Sequence, residues 1–291
     1  MAEVKASGDL PFVTVYTITY RQKDILEETV QGLFNQDYPK SKYELIVLDD
    51  GSNDGTQQLL GRLQRLSPVS LTILETRHEG DYLSAKRFNQ CIASASPATK
   101  VFIHVEDAFV RADFVLQHVK WHLSKELALV TGAMFEAEKQ TWDLKHCRRS
   151  FLAAPHGNPV VCDFQAAWAK SLSFTRELME SVWQPAHDKP FDERMVGWGY
   201  HETELAWRMK QAGARIVYDP SAGVYHPPHT KSSEQTRGFD REIVKDQGAK
   251  KNIEYFCRKH QLVELPVWVQ PYVISVPRLQ GRTVAALDSF S

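Results

Sequence analysis

This chain has no long apolar run, no excess of charge of either sign, and few cysteines, and each absence removes a class of protein. No stretch reaches the roughly 20 apolar residues that a spanning helix needs, so no transmembrane segment is expected. Lys and Arg number 35 against 36 Asp and Glu, for a formal net charge of −1. Neither nucleic acid nor an anionic membrane is therefore the expected main partner. The four cysteines, Cys91, Cys147, Cys162 and Cys257, form no Cys-x-x-Cys pair and no metal-type spacing. That argues against a thiolate zinc site and suits free thiols in a reducing compartment. The first ten residues are polar and lack an apolar signal core. The expected location is cytoplasmic, with peripheral membrane attachment left open. What remains is ordinary globular composition, 43% hydrophobic and 24% charged over 291 residues. That is room for one large α/β domain with appendages, or for two small domains.

Strand and helix signals alternate through the first third. The spacing predicts strands over Phe12–Tyr20, Tyr43–Leu48, Leu71–Glu75 and Lys100–Val105, rich in β-branched and aromatic residues. Between them, helical periodicity runs over Ile25–Phe34, from about Thr56 to Leu66, and over Tyr82–Ala95. This order argues a mostly parallel central sheet flanked by helices, which binds ligands at the carboxyl ends of its strands. Those ends carry Thr19-Tyr20, Asp49-Asp50 and Glu106-Asp107. Further on, a helix over Asp113–Leu123, a strand over Leu127–Met134 and a helix over Thr175–Trp183 are expected. A short strand then spans Ala214–Tyr218. The polar stretch Lys231–Asp246 follows, then a helix from Gln247 to His260 and an apolar, Pro-punctuated tail from Leu265 to Val276.

The residues that could carry chemistry cluster at these strand ends and in one later segment. Asp49 and Asp50 stop an apolar strand abruptly; one of Ser52, Asn53 and Asp54 suffices as a helix cap, which leaves the two acids unexplained by capping. Glu106 and Asp107 supply hard oxygen ligands for Mg²⁺ or Mn²⁺, although acids end many strands. Arg21, Lys86 and Arg87 are cations near the same sheet edge, able to neutralise phosphates or simply solvated. His226, ahead of two prolines, is a candidate metal ligand, though a lone histidine there is more often structural; His229 is the weaker one. His104 reads as packed. In Gly197-Trp198-Gly199-Tyr200-His201-Glu202, a glycine-flanked aromatic precedes a helix start, where the dipole favours a carboxylate able to act as general base. Glu204 is explained by capping or by a helix pair with Arg208.

Together these residues resemble a family 2 glycosyltransferase of GT-A fold. Val13 to Arg21 is similar to the family's first strand, and Leu48-Asp-Asp-Gly-Ser-Asn-Asp-Gly-Thr56 nearly matches its nucleotide-binding signature. Ala85-Lys-Arg-Phe-Asn89 resembles its small-Arg-Asn helix motif. Phe191 to Gly213 resembles the acceptor-side segment shared with galactosyltransferase-type C-terminal regions. The resemblance implies a GT-A domain over 10–230, with a nucleotide-binding half to about 110, and a C-terminal extension over 231–291. It implies that Thr19, Tyr20, Arg21, Asp49, Asp50, Lys86 or Arg87, and Glu106 hold a nucleotide diphosphate sugar, of UDP type. Asp107 and His226 would hold Mn²⁺ or Mg²⁺. Glu202 would be the base, and Trp198, Gly199 and His201 would face a carbohydrate, lipid-linked or natural-product acceptor. Three departures stand out: Ala108 where a third acid is common, His201 for an acid, and Lys170 where relatives carry Asn. The Gln-x-x-Arg-Trp segment of processive synthases is absent, so a single-addition, inverting enzyme is expected. The other reading is a nucleotide-sugar-binding protein without turnover. A nucleotidyltransferase is disfavoured, because no Gly-rich phosphate loop with a basic residue follows the first strand.

Overall fold

The computed structural model describes residues 10–79, 82–148, 157–167, 170–183, 189–228 and 241–262. Its first half is the alternation expected from periodicity: β1 (Val13–Thr19), α1 (Lys23–Phe34), β2 (Tyr43–Asp49), α2 (Thr56–Leu66), β3 (Ser70–Glu75), α3 (Ser84–Ala93) and β4 (Val101–Val105). After α4 (Phe114–Val119) come β5 (Ala128–Phe135), β6 (Cys147–Arg148), β7 (Val160–Cys162) and β8 (Ser171–Thr175). Then follow α5 (Arg176–Ser181), α6 (His201–Gln211), β9 (Arg215–Tyr225) and α7 (Arg241–His260).

One sheet runs in the order β3-β2-β1-β4-β8-β5-β9-β7, with β6 beside β5. β3, β2, β1 and β4 are mutually parallel, and their register sets Thr19 opposite Asp49 and Asp49 opposite Glu75. The second half is mixed: β8 runs antiparallel to both β4 and β5, while β5 and β9 are parallel. The pairing of Val105 with Ser171 matters most for the site, because it lays Lys170 beside Glu106.

Strand alternation explains the layers. Val15, Leu45, Val47 and Ile103 point to the face covered by α1, α2 and α4. Tyr16, Ile46, Leu48 and Phe102 point to the other face, where Phe88, Met179, Leu205 and Phe256 bring in α3, α5, α6 and α7. Each such buried side chain contributes about 1.5–3 kcal/mol by transfer from water.

Two expectations change. The short strand over Ala214–Tyr218 is part of one long strand to Tyr225 that accommodates Pro220. Pairing with β5 jumps from Gly132↔Asp219 to Met134↔Val224, so Pro220 lies in a bulge where no ladder N–H is required. Gly132 is required there, since an added Cβ would sit 1.9 Å from the Ala222 carbonyl oxygen. The C-terminal helix starts at Arg241 rather than Gln247, drawing the end of the polar stretch into its first turns. The apolar tail Leu265–Val276 and His229 lie outside the described residues.

Candidate active site

The tips of β1 and β2 open one wall of a cleft lined by Thr19, Tyr20, Asp50, Arg87, Glu106 and Asp107. Asp50 is the most heavily engaged of these. It accepts from Arg87 Nε at 2.7 Å and Thr76 Oγ1 at 2.9 Å, with His78 Nδ1 at 2.8 Å. His78 in turn stacks on Tyr20, with ring centroids 3.9 Å apart, so the cleft wall is a braced aromatic and acidic unit. Gly51, at φ +77°, allows this closeness, because a Cβ there would meet the His78 backbone nitrogen at 2.7 Å.

Asp49 lies beneath that wall. Its Oδ1 accepts the Ser52 N–H, while Oδ2 is buried without a hydrogen-bond partner, as is Thr19 Oγ1. Burial raises the Asp49 carboxyl above its ordinary range. Unsatisfied buried acceptors are costly, and they mark places where a ligand donor would be welcome. None of Ser52, Asn53 and Asp54 is the cap expected of them: the N-cap of α2 is Gly55, in left-handed geometry and without a side-chain cap bond, and Asp54 just before it accepts from Thr56 N and Oγ1 and from Lys23 N. Ser52 instead accepts the Arg21 N–H, stitching the two strand-end turns together. The two α3 cations separate: Arg87 is buried against Asp50, whereas Lys86 is half-buried and pairs with Glu79.

The turn before α6 adjoins the cleft through the Gly197 N–H, which donates to the Tyr82 carbonyl at 2.9 Å, and is held in left-handed geometry at Gly197 (φ +94°), Gly199 (φ +89°) and Tyr200 (φ +69°). Helix α7 holds this turn from outside. A Cβ on Gly248 would fall 2.4 Å from the Trp198 nitrogen, and Asn252 Nδ2 donates to the Gly199 carbonyl at 2.9 Å. Trp198 packs half-buried against the core. His201 is buried with Nε2 3.1 Å from the Met195 carbonyl, and burial pulls its pKa down to about 4, which keeps it neutral. Its hydrogen bond ties the turn to the preceding loop.

Glu202 is buried in the first turn of α6, and its pKa is raised to about 7. Burial is the main cause; the charge of Glu106 adds to it and that of Lys170 opposes it. Glu204, two residues on, has the opposite fate. Fully buried, it binds Arg208 in a bidentate pair and also Lys259 and His260 of α7, and these partners hold it down to about 2 against the effect of burial. One carboxylate is thus spent on architecture while the other is poised near neutrality.

At the β4 end, Asp107 (φ +51°) and Glu106 share Lys170, whose Nζ is 3.2 Å from Asp107 Oδ2 and 3.9 Å from Glu106 Oε2. His226 lies 3.3 Å from Glu136 Oε1; burial depresses its basicity, and the bond with Glu136 opposes that. Among the described residues no three His, Cys, Asp or Glu side chains converge as a cation site. With an ammonium already on the two carboxylates, these donors do not fit a preformed divalent-metal centre. Sequence reasoning passed over His78, and it treated Lys170 only as a departure. The second could have been found from the β4–β8 pairing, which periodicity alone does not supply.

The sheet order and the helices on both faces are those of a GT-A glycosyltransferase fold, and solved structures of that class superpose on the chain. A mannosyltransferase from Pyrobaculum calidifontis, in complex with GDP-Man and Mn²⁺, matches with TM-score 0.60 at 20% identity over 85% of this chain and 65% of its own. TarS 1–349 of S. aureus in complex with UDP-GlcNAc matches with TM-score 0.56 at 13% identity over 83% and 65%. The glycosyl transferase family 2 model matches residues 14–190, more than half of the chain, and the chain belongs to that family. Among curated proteins, the glycosyltransferase AglE of Haloferax volcanii is 31% identical over 33% of this chain and 31% of its own length. The dolichyl N-acetyl-alpha-D-glucosaminyl phosphate 3-beta-D-2,3-diacetamido-2,3-dideoxy-beta-D-glucuronosyltransferase of Methanococcus voltae is 32% identical over 42% of this chain and 37% of its own length. The chain thus spans about a third or less of the length of most of the curated relatives it matches. No helix among the described residues is long and apolar enough to cross a membrane.

Proposed function

We propose that this chain is an inverting, non-processive glycosyltransferase that moves a sugar from a nucleotide diphosphate donor, of UDP type, to an acceptor hydroxyl. The acceptor class is a carbohydrate, a lipid-linked glycan or a natural product. The observation that carries the reading is Glu202. It is a buried carboxylate with pKa about 7, coupled to Glu106 of the donor-side cleft. A general base works best with its pKa near the operating pH.

The donor's nucleoside would lie against Tyr20 and the Asp49–Asp50 turn, where Asp49 Oδ2 and Thr19 Oγ1 are unpartnered. An acceptor on the Trp198 side would present its hydroxyl to Glu202. The hydroxyl oxygen attacks the anomeric carbon and its proton passes to Glu202. The bond from that carbon to the diphosphate oxygen breaks, its electron pair leaving with the diphosphate, and the configuration inverts. The resemblance implies Mn²⁺ or Mg²⁺ on Asp107 and His226, and two structural neighbours were solved with Mn²⁺. Lys170 already pairs with the Asp107 carboxylate, so the bond changes above are assigned to the protein's own groups and to no metal ion.

A thermal-shift panel of UDP- and GDP-sugars tests the donor half of the proposal. A ligand at 100 times its Kd stabilises the folded state by about 2.7 kcal/mol, so a UDP-sugar should raise Tm by several degrees. A panel in which no nucleotide sugar moves Tm would contradict it.

A further inference from the structure

Resting on that nucleotide-sugar reading, the geometry points to Lys170 as the built-in counter-cation for the leaving diphosphate, at the position where the family resemblance puts a divalent metal. The backbone creates the placement. Val105 pairs with Ser171 in an antiparallel ladder, so the residue before Ser171 must stand beside the residue after Val105. The two are Lys170 and Glu106, and the positive φ of Asp107 turns the next carboxylate to the same ammonium.

Its surroundings distinguish this lysine from a solvated one. Only 19% of its side chain is exposed, against 40% for Lys86. Its two carboxylates line the same cleft as Tyr20, Asp50 and Arg87. Its charge also acts on Glu202 and His226. Strand pairing already joins β4 to β8 through the backbone, so the ion pair is not needed to hold the sheet together. Arg87, the other enclosed cation at the cleft, is committed to Asp50 and to the Arg77 carbonyl. Lys170 is a point charge on a flexible stem, able to move from carboxylates to phosphate oxygens without changing its protonation. In the transfer step it gives up no proton: the acceptor proton goes to Glu202, and the electron pair of the broken C–O bond stays on the diphosphate oxygen facing Lys170. A divalent ion entering the same place would have to displace this ammonium.

Calorimetric titration of the full chain with UDP and with GDP, in EDTA and in MnCl₂, tests the inference directly. The nucleotide that binds should do so in EDTA with an affinity within about threefold of that in Mn²⁺. Lys170→Gln should weaken binding in EDTA by about tenfold or more, while Lys170→Arg, which keeps the cation, should stay within about threefold of the parent. Melting curves establish that the variants are folded, and the comparison of EDTA with Mn²⁺ on the unaltered chain decides the matter even if Lys170→Gln is not. Binding that is lost in EDTA, restored by Mn²⁺ and indifferent to Lys170→Gln would overturn the inference and leave the nucleotide-sugar reading standing. Failure of both nucleotides to bind in either condition would overturn both.

Discussion

Glu202 and Glu204 show how little separates a reactive carboxylate from a structural one. They sit two residues apart on one helix and are both buried, yet one is raised to about 7 and the other lowered to about 2. The difference lies in the partners: Arg208, Lys259 and His260 converge on Glu204, whereas Glu202 is buried within reach of the Glu106 charge. The Arg208 pairing of Glu204 was legible from its four-residue spacing. The contributions of Lys259 and His260 were not, because they arrive from α7, more than fifty residues away. The pH consequence for Glu202 follows from its sign. A base with a raised pKa is protonated, and idle, below it. Transfer measured as kcat/KM should therefore rise about tenfold per pH unit on the acid limb and level off above pH 7. A limb near pH 4.5 would mean that Glu202 is not the group titrating.

At the scale of elements, α7 is the unexpected contributor. It lies beyond the residues matched by the family model, yet its Gly248 and Asn252 hold the Gly197–Gly199 turn and its Lys259 and His260 anchor α6. The glycines of that turn announced themselves in sequence, as Gly-Trp-Gly ahead of a helix. Gly248 did not, since a lone glycine in a polar helix carries no sign of what it packs against. Gly248→Ala sets two effects against each other. Alanine gains about 1 kcal/mol of helix propensity. Its methyl would fall 2.4 Å from the Trp198 nitrogen, a backbone atom that cannot swing aside, and overpacking costs about 1–3 kcal/mol. The clash should win, lowering Tm by several degrees and kcat with it as the turn shifts. An unchanged or higher Tm would show that α7 is not seated on the turn. The long β9 strand was missed for a related reason. Pro220 reads as a strand breaker unless the bulge that accommodates it is known.

For the whole molecule, the alternation of strands and helices was enough to expect the parallel half, because each β-to-β crossover is local in sequence and of fixed hand. The mixed half was harder to read. β8 pairs with β4 and β5, neither of them its neighbour in the chain's alternating pattern, and short strands such as β6 and β7 have too few residues for periodicity. That pairing is also what carries Lys170 to Glu106, so the site feature least visible in sequence depends on the topology least visible in sequence. The turn before α6 meets the donor-side cleft through the Gly197 N–H, which donates to the Tyr82 carbonyl at 2.9 Å, and the central claim is that transfer occurs at this junction with Glu202 as base. The most direct measurement is release of nucleoside diphosphate from the nucleotide sugar that stabilises the protein, with the anomer of the released or transferred sugar read by NMR, for the parent and for Glu202→Gln. The account predicts inversion at the anomeric carbon and a loss of about 10²–10⁴-fold in turnover for Glu202→Gln, with donor affinity unchanged. Retention of configuration, or turnover in Glu202→Gln equal to the parent, would contradict it.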